Sequence, residues 1–363
     1  MNWMKRALGL MVVLALTLCL SGCGKEEPVS TDPDKPYAGT TISVFNCYDY
    51  IDESVLDQFT EETGIKVKYS KFTTNEDMYA KFSSSPSNYD VLVPSDYMIE
   101  QLIKKDMLAE LDTASMKNYD GLLDWIKKPF YDSEGKYSVA YMWGTVGILY
   151  NRALTGGDIT GWDALFDTEK YQNSVIMMDS VRDMMCVGLK SLGYSANSVD
   201  ENEIAAARDV LIDQKKSGVV KALYVDETKD MMVAGEAALA LVWSGDALYA
   251  MEKNEDLDYC VPEEGSNIWV DGMVVPKASK HQEAAQLFID FMCRPDIAYK
   301  NQQYIYYSTP VAEVVNEMYT DEERAILALN PTQDIIDRCE FFKDVSEHND
   351  LYEAAWTKIK QAQ

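Results

Sequence analysis

Short apolar runs alternate along this chain with polar segments in which apolar residues recur on one helical face. Residues 42–48 and 65–72 predict strands, and residues 52–64 predict a helix that begins at an Asp and ends at a Gly. A second helix is predicted over 75–82 and a short buried strand over 90–94. This order predicts an α/β fold with a mostly parallel sheet flanked by helices.

The same alternation continues through the rest of the chain. Two extended stretches, 139–151 and 268–276, are long, and we expect them to cross between two lobes that are each discontinuous in sequence. The other predicted elements are strands over 174–178 and 236–243 and helices over 201–217, 246–253, 279–293, 313–329 and 348–360. The predicted domain limits are 1–22 for a signal peptide, 23–40 for a lipidated cysteine and flexible tether, 41–144 plus 270–316 for lobe 1, and 145–269 plus 317–363 for lobe 2.

The first 23 residues have the pattern of a leader. Lys5 and Arg6 precede an apolar run over 7–20 that is too short to span a bilayer comfortably, and small residues follow before Cys23. This ending resembles the lipobox of bacterial lipoproteins, and an ordinary secretory signal that contains a Cys is the alternative. Residues 24–40 are polar and Pro-bearing, as a tether should be. We therefore expect an extracytoplasmic protein, anchored by lipid to the outer face of the cell membrane or periplasmic.

The composition is strongly acidic, with a formal net charge of −27. Nucleic acid needs Lys/Arg stripes, so it is not an expected partner, and an anionic substrate is disfavoured. Such a surface attracts cations, although solubility alone also accounts for it. His281 and His348 are the only histidines, and the cysteines show no zinc-like spacing. No metal site, cofactor or catalytic residue is predicted, and disulfide pairing stays open.

Carboxylates and aromatic residues follow five of the predicted strands and crossings. Because ligands of open α/β sheets bind beyond the carboxyl ends of strands, these residues are candidates for a site. Aromatic faces attract organic ammonium ions, and carboxylates pair with their charged heads. A single Asp there could equally be a helix N-cap, and a single ring could be core, so the recurrence carries the prediction. The segments are 46–50, 95–97, 179–183, 243–246 and 269–271.

These segments resemble the polyamine-binding lipoproteins of spermidine/putrescine ABC importers. The resemblance covers about 41–360 and implies the two-lobed periplasmic-binding-protein fold of type II, with a hinged cleft. Its most specific stretches are FNCYDYIDESVLDQFTEETGIKV (45–67), NEDMYAKF (75–82), YDVLVPSDYMIEQL (89–102), YMWGTVGILYN (141–151), VWSGDA (242–247), WVDGMVVP (269–276) and STP (308–310).

The resemblance also implies a set of ligand-binding residues, with Asp271 as the main ammonium partner. Two departures stand out: Cys47 replaces a usual Trp, with Tyr48 as its substitute, and Ser180 stands where spermidine-type members often carry an acid. The second departure, together with Asp246, favours a shorter diamine, although the preferred polyamine stays open. The implied positions are Tyr48, Asp49, Tyr50, Ser95, Tyr97, Asp183, Trp243, Asp246, Trp269, Asp271 and Tyr307.

The expected function is therefore solute binding and not catalysis, because the chain has no nucleophile elbow, Walker loop or dinucleotide fingerprint. The implied partners are a polyamine such as putrescine or spermidine and the permease subunits of an ABC importer. The chain is expected to be a monomer that reaches the membrane through the lipid on Cys23. The alternatives are another cationic metabolite or ferric ion on the same scaffold, or a role as a sensor subunit.

Overall fold

A computed structural model describes residues 32–362 of the chain. The predicted signal peptide and the predicted lipidation site at Cys23 lie outside these residues. The strands are β1 (Thr41–Cys47), β2 (Lys66–Phe72), β3 (Val91–Leu92), β4 (Ser138–Asn151), β5 (Val175–Met178), β6 (Val220–Tyr224), β7 (Leu239–Trp243), β8 (Leu257–Cys260) and β9 (Ile268–Val274).

Helices follow almost every strand. They are α1 (Ser54–Thr63), α2 (Asn75–Ser84), α3 (Asp96–Lys104), α4 (Asp124–Lys127), α5 (Arg152–Thr155), α6 (Val181–Ser191), α7 (Glu201–Lys216), α8 (Glu227–Val233), α9 (Ser244–Lys253), α10 (Gln282–Met292), α11 (Pro295–Ile305), α12 (Asp321–Ala325), α13 (Gln333–Arg338) and α14 (Asn349–Gln361). The prediction of a single helix over 313–329 is wrong. The structure has a π-helical turn at Val314–Met318 and then α12, which begins at a capping box between Thr320 and Glu323.

The strands form one sheet in the order β2-β1-β3-β9-β4-β7-β5-β6, with β8 paired to β4. The strands at each end of this order pair in parallel, as predicted: β1 with β2 and β3, and β5 with β6 and β7. The long strands β4 and β9 run antiparallel to all of their neighbours. The α/β order is as expected, and the central crossing adds antiparallel pairing that the sequence pattern did not predict.

Strand β4 joins two halves of this sheet. Its first part, up to Thr145, pairs with β9, and its second part, from Val146, pairs with β7 and β8. All fourteen of its residues are buried. We call the part with β1, β2, β3 and β9 the first half and the part with β5, β6, β7 and β8 the second half. The residues of β4 are buried in both halves of the sheet, which explains the continuous apolar run that predicted a crossing strand.

Local sequence signals explain where helix α1 and strand β3 end. Helix α1 ends at Gly64, whose φ of 75° suits a residue without a Cβ and lets its N–H donate to Thr60. The strand predicted over 90–94 is only two residues long, because Pro94 lacks an N–H and the chain turns directly into α3. The sequence pattern also missed strands β6 and β8 and helices α3, α4, α5, α6, α8, α11 and α13.

The two halves also meet away from β4 and β9. Lys104 of α3 forms an ion pair of 3.1 Å with Asp344, and Glu100 accepts a 2.7 Å hydrogen bond from the Asp344 backbone. Phe130 and Phe341 add a ring contact of 5.6 Å between centroids. Within residues 32–362, no helix is both long and apolar enough to span a bilayer. The cysteines among those residues are all free thiols.

Candidate functional site

The loop after β1 buries the aromatic side chain of Tyr50 and leaves the two residues before it exposed. The Asn46 carboxamide accepts from the Cys47 N–H at 2.8 Å and donates to the Tyr50 carbonyl at 3.0 Å. The hydroxyl of Tyr141 donates to that same carbonyl at 2.7 Å. Asp49 adopts a φ of 49°, which reverses the chain between these anchors. Tyr50 is therefore buried while Asp49 stays exposed.

Asp271, in the middle of β9, receives the buried tyrosine. The Tyr50 hydroxyl donates to Asp271 Oδ2 at 2.7 Å, whereas Oδ1 is buried and makes no hydrogen bond to the described part of the chain. Burial raises the pKa of Asp271 to about 6, and the neighbouring Ser95 and Tyr50 oppose that rise. One carboxylate oxygen thus accepts a hydrogen bond and the other accepts none from the described residues. A cation bound at Oδ1 would offset the free-energy cost of removing the charge from water.

Three aromatic rings pack beside this carboxylate, and we call Tyr50, Trp269 and Tyr307 the ring cluster. The Trp269 and Tyr307 centroids are 5.0 Å apart and those of Tyr50 and Tyr307 are 5.9 Å apart, both edge-to-face. The indole N–H of Trp269 is buried and has no partner among the described residues. The ring cluster therefore offers apolar faces and a free donor next to a buried charge.

Two glycines make room for these rings. A Cβ at Gly245 would lie 2.4 Å from the Tyr307 ring, and a Cβ at Gly144 would lie 2.7 Å from the Trp269 ring. Neither distance is possible for a side chain, so only glycine permits these close approaches. The glycine of the VWSGDA segment is therefore explained by packing against the ring cluster.

A second carboxylate, Asp246, lies in the first turn of α9. Burial raises its pKa to about 6, although Lys229 opposes the rise from 3.7 Å away. The charges of Asp246 and Asp271 both raise the pKa of the Tyr307 hydroxyl further above its usual value, which burial already raises. The ring cluster thus lies within electrostatic reach of two partly buried carboxylates, one from each half of the sheet.

Asp183, in the first turn of α6, is a third carboxylate near the strand ends, and it is buried. It accepts from the Ser180 hydroxyl at 2.5 Å. Burial raises its pKa, and Ser180, Arg182 and the Trp243 side chain oppose that rise. The sequence left open whether Asp183 is only a helix cap, and Ser180 occupies the N-cap position instead. Asp183 and Trp243 are therefore neighbours at the end of the second half of the sheet.

Comparison with known proteins identifies the family. The sequence profile for bacterial extracellular solute-binding proteins matches residues 54–325. The chain belongs to this family. It is 34% identical to the spermidine/putrescine-binding periplasmic protein of Salmonella typhimurium, over 88% of this chain and 91% of that protein.

Solved structures agree with this family. A Listeria monocytogenes structure assigned to a spermidine/putrescine ABC transporter has 36% identity and a TM-score of 0.82, covering 89% of this chain and 100% of the other. The spermidine/putrescine ABC transporter substrate-binding protein of Streptococcus pneumoniae has 35% identity and a TM-score of 0.78, covering 89% and 99%. The predicted two-lobed type II fold is confirmed. The family comprises extracytoplasmic solute-binding proteins and not enzymes, as predicted.

The structure of this solute-binding protein gathers most of the predicted site residues. Ser95 lies beside Asp271 through a backbone bridge, and it exchanges hydrogen bonds with Asn75. Contacts and charges link one group of six: Tyr50, Ser95, Asp246, Trp269, Asp271 and Tyr307. Asp183 and Trp243 interact with each other.

Three predicted residues have other contacts. Tyr48 is 65% exposed, and Lys71 lies over its ring at 5.1 Å. The same lysine approaches the exposed Asp49 at 3.9 Å. The Tyr97 hydroxyl donates to Glu76 at 3.0 Å, and the Arg182 guanidinium lies 5.8 Å from the Tyr97 ring centroid. Their roles as ligand contacts stay predictions.

Sequence reasoning missed several groups in and around this site. Asp226 follows β6, and its charge helps to raise the pKa of Asp246 and of the Cys47 thiol. It could have been found by the strand-end rule if β6 had been predicted. Asp96 belongs to the candidate segment 95–97 but not to the implied ligand-binding residues; it is buried beside Asp271 and accepts from the Tyr97 N–H at 2.7 Å. Lys229 carries no strand-end signal, since it lies within α8. In the described chain, no group of three or more His, Cys, Asp or Glu is placed to hold a metal ion.

Proposed function

We propose that this solute-binding protein captures a protonated polyamine such as putrescine or spermidine and delivers it to an ABC importer. The observation that carries the proposal is Asp271, whose buried Oδ1 has no partner among residues 32–362 and lies next to three aromatic rings. An ammonium group satisfies that oxygen with a charge-assisted hydrogen bond, which is about twice as strong as a neutral one. The names of the relatives, spermidine/putrescine-binding proteins, support the same ligand class.

In the proposed mode the ligand lies with its hydrocarbon along the ring cluster. Its first ammonium meets Asp271, and the faces of Trp269 and Tyr307 contact its methylene groups and its charge, at about 0.5–2 kcal/mol for each ring. The second ammonium meets a carboxylate of the second half, Asp183 or Asp246. Two carboxylate anchors with aromatic rings beside them suit a linear diamine better than a sugar or a peptide.

The site draws on both halves of the sheet, so the ligand stabilises the state in which the halves meet. A ligand shifts such an equilibrium only by its differential affinity, which here comes from Asp271 on one side and Asp183 and Asp246 on the other. We propose the lobe limits predicted from the sequence, and the change of β4 partners between Thr145 and Val146 supports them. The closed form is the one that docks on the permease.

We also propose that Cys23 carries the lipid anchor and that the mature protein acts as a monomer. The basic start, apolar run and small residues before Cys23 support the anchor. Radioactive palmitate fed to cells should label the wild-type protein and leave a Cys23→Ala variant unlabelled. Label on both proteins would contradict the anchor.

Calorimetric titration tests the function. The mature protein, with Cys23→Ser to prevent lipidation, is titrated in one buffer with putrescine, cadaverine, spermidine and spermine. We expect micromolar or tighter binding of at least one amine. The matched ligand control is 1,4-butanediol, which has the chain length of putrescine without its ammonium groups and should release no heat. Absence of heat with all four amines, or equal binding of the diol, would contradict the proposal.

A further inference from the structure

Asp96 completes the pairing of β9 with the chain before α3. The Gly272 N–H donates to the Pro94 carbonyl at 3.0 Å. The N–H of Val270, two residues earlier on β9, faces the same neighbour, because alternate N–H groups of a strand share a side. The chain has turned into α3 at that point, and the Asp96 side chain takes the place of a strand carbonyl. Its Oδ2 accepts from the Val270 N–H in a long hydrogen bond of 3.4 Å.

Asp96 is enclosed, and its hydrogen-bond partners are backbone groups. The residue is 1% exposed, and its Oδ1 accepts from the Tyr97 N–H at 2.7 Å. Burial raises the pKa of Asp96 well above the usual value for Asp, and the charge of Asp271 raises it further. The two N–H groups and the charge of Arg182 oppose that rise. Because no ligand can reach so enclosed a side chain, a role in binding must act through a neighbour.

We propose that Asp96 is a positioning residue for cation binding at Asp271: it holds β9 through the Val270 N–H, and its acid group is electrostatically coupled to the ligand carboxylate. The inference rests on the proposed function, in which Asp271 meets an ammonium group. Val270 joins Trp269 to Asp271, so this hydrogen bond fixes the residue between the ring and the carboxylate. Two neighbouring acids in a buried site resist ionising together, so they titrate as a pair and hold a proton that a bound cation releases to solvent.

The pH dependence of binding near pH 6 depends on few groups. Burial raises the pKa of each tyrosine hydroxyl and of the cysteine thiol around the pair, so they keep their protons in that range, and an arginine stays charged throughout. Asp246 in the second half also has a pKa of about 6, and its titration is common to the wild type and the variants. The groups that face Asp96 are Tyr97, Tyr131 and Arg182, and those that face Asp271 are Tyr50, Tyr141, Tyr307 and Cys47.

Calorimetric titration with putrescine from pH 5 to pH 8, where a primary amine stays protonated, tests both parts of the inference. Asp96→Asn removes the acid and keeps one acceptor oxygen, so the midpoint of the pH dependence should move downward by about one pH unit. Asp96→Ala removes both acceptors as well. It should show the same midpoint as Asp96→Asn and bind putrescine about tenfold more weakly than the wild type at pH 7.5.

The matched control is Asp90→Asn. Asp90 is also buried in the first half, and its Oδ2 also accepts a strand N–H, that of Ser43 at 2.8 Å. It precedes β3, whereas Asp96 follows that strand, so it lies at the opposite strand end from the candidate site. This variant should keep the midpoint and, within about twofold, the affinity of the wild type.

The midpoint is a property of the folded protein, so a variant that folds in lower yield still reports it. An unchanged midpoint in Asp96→Asn would overturn the inference, and so would an equal shift in Asp90→Asn. An affinity of Asp96→Ala within about twofold of the wild type at pH 7.5 would also overturn it. Each of these results leaves the proposed function standing, whereas a wild-type protein that binds none of the amines would overturn both proposals.

Discussion

The two ends of the candidate site have the same kind of residue in two different settings. Asp271 in the first half and Asp246 in the second half both have a pKa raised to about 6 by burial. Asp271 is held by a neutral tyrosine hydroxyl, and its other oxygen has no hydrogen-bond partner in the described part of the chain. Asp246 has a lysine ammonium 3.7 Å away. Burial alone therefore does not make a carboxylate available to a cation, because a neighbouring cation of the protein can take its place.

The largest expected effect is a difference in putrescine affinity between variants of these two carboxylates. Asp271→Asn should weaken putrescine binding by at least about 100-fold, because a buried ammonium loses its counter-charge. Asp246→Asn should weaken it by about tenfold at most, since Lys229 already neutralises that position. Calorimetry of both variants measures the difference. The control is Asp124→Asn, the same change at a carboxylate that is fully exposed. Equal losses at 271 and 246 would remove the distinction between the two ends.

The pH dependence of binding tests the raised pKa values. An ammonium ligand binds the ionised carboxylates, so affinity should rise as pH rises through about 6 and should fall by about 10- to 100-fold between pH 7.5 and pH 5. Binding at pH 5 should release protons. The groups that face these carboxylates are Tyr50, Ser95 and Asp96 at Asp271, and Lys229, Asp226 and Tyr307 at Asp246.

The ligand-free protein should show the opposite trend. Because the folded pKa values exceed the ordinary Asp value, these two groups lower the free energy of unfolding as pH rises from about 4 to about 6.

Calorimetric titration with putrescine in two buffers of different ionisation enthalpy measures the proton release on binding. Putrescine affinity that is the same at pH 5 and pH 7.5 would show that neither carboxylate titrates on binding.

A smaller effect is expected at the neutral hydroxyl that holds Asp271. Tyr50→Phe should weaken putrescine binding about five- to tenfold at pH 7.5, because the ionised carboxylate loses a 2.7 Å hydrogen bond. It should also move the midpoint of the pH dependence upward. The matched control is Tyr141→Phe, which loses a bond to the Tyr50 carbonyl and none to Asp271. A larger loss of putrescine affinity in the control than in Tyr50→Phe would show that the loop conformation, and not the hydrogen bond to Asp271, determines the affinity.

The smallest effect is expected at Asp49, the exposed carboxylate of the same loop. Asp49→Asn should change putrescine affinity by less than about twofold, since an exposed charge is screened by water. Lys71 already approaches Asp49 at 3.9 Å and pairs with Glu53 at 2.9 Å, so Glu53→Gln is the matched control. A loss above tenfold in Asp49→Asn alone would place this residue among the main ligand contacts.

The sequence predicted the fold well where local signals decide structure. The apolar run that became β4 and the glycine that ends α1 are visible in the pattern. The π-helical turn at Val314–Met318 and the antiparallel pairing of β9 depend on tertiary packing, so no local pattern shows them. Strand β6 has only partly buried and exposed residues, which weakens its periodic signal.

The site was only partly predictable for similar reasons. Asp271 and Trp269 follow from their place in the second extended crossing and from the resemblance to known binders. The exposure of Tyr48 and Asp49 follows from the Asn46 and Tyr141 hydrogen bonds that fix the loop, and these join residues up to 91 positions apart. The position of Lys229 depends on how α8 packs near α9. A sequence shows which charges exist, and the structure shows which of them are already paired.

A structure of the mature protein in complex with putrescine tests the central claim most directly. We predict one ligand ammonium within about 3 Å of Asp271 Oδ1, at charge-assisted hydrogen-bond distance, with its methylene groups against Trp269 and Tyr307. An ammonium placed away from Asp271, or a ligand outside the ring cluster, would contradict the account.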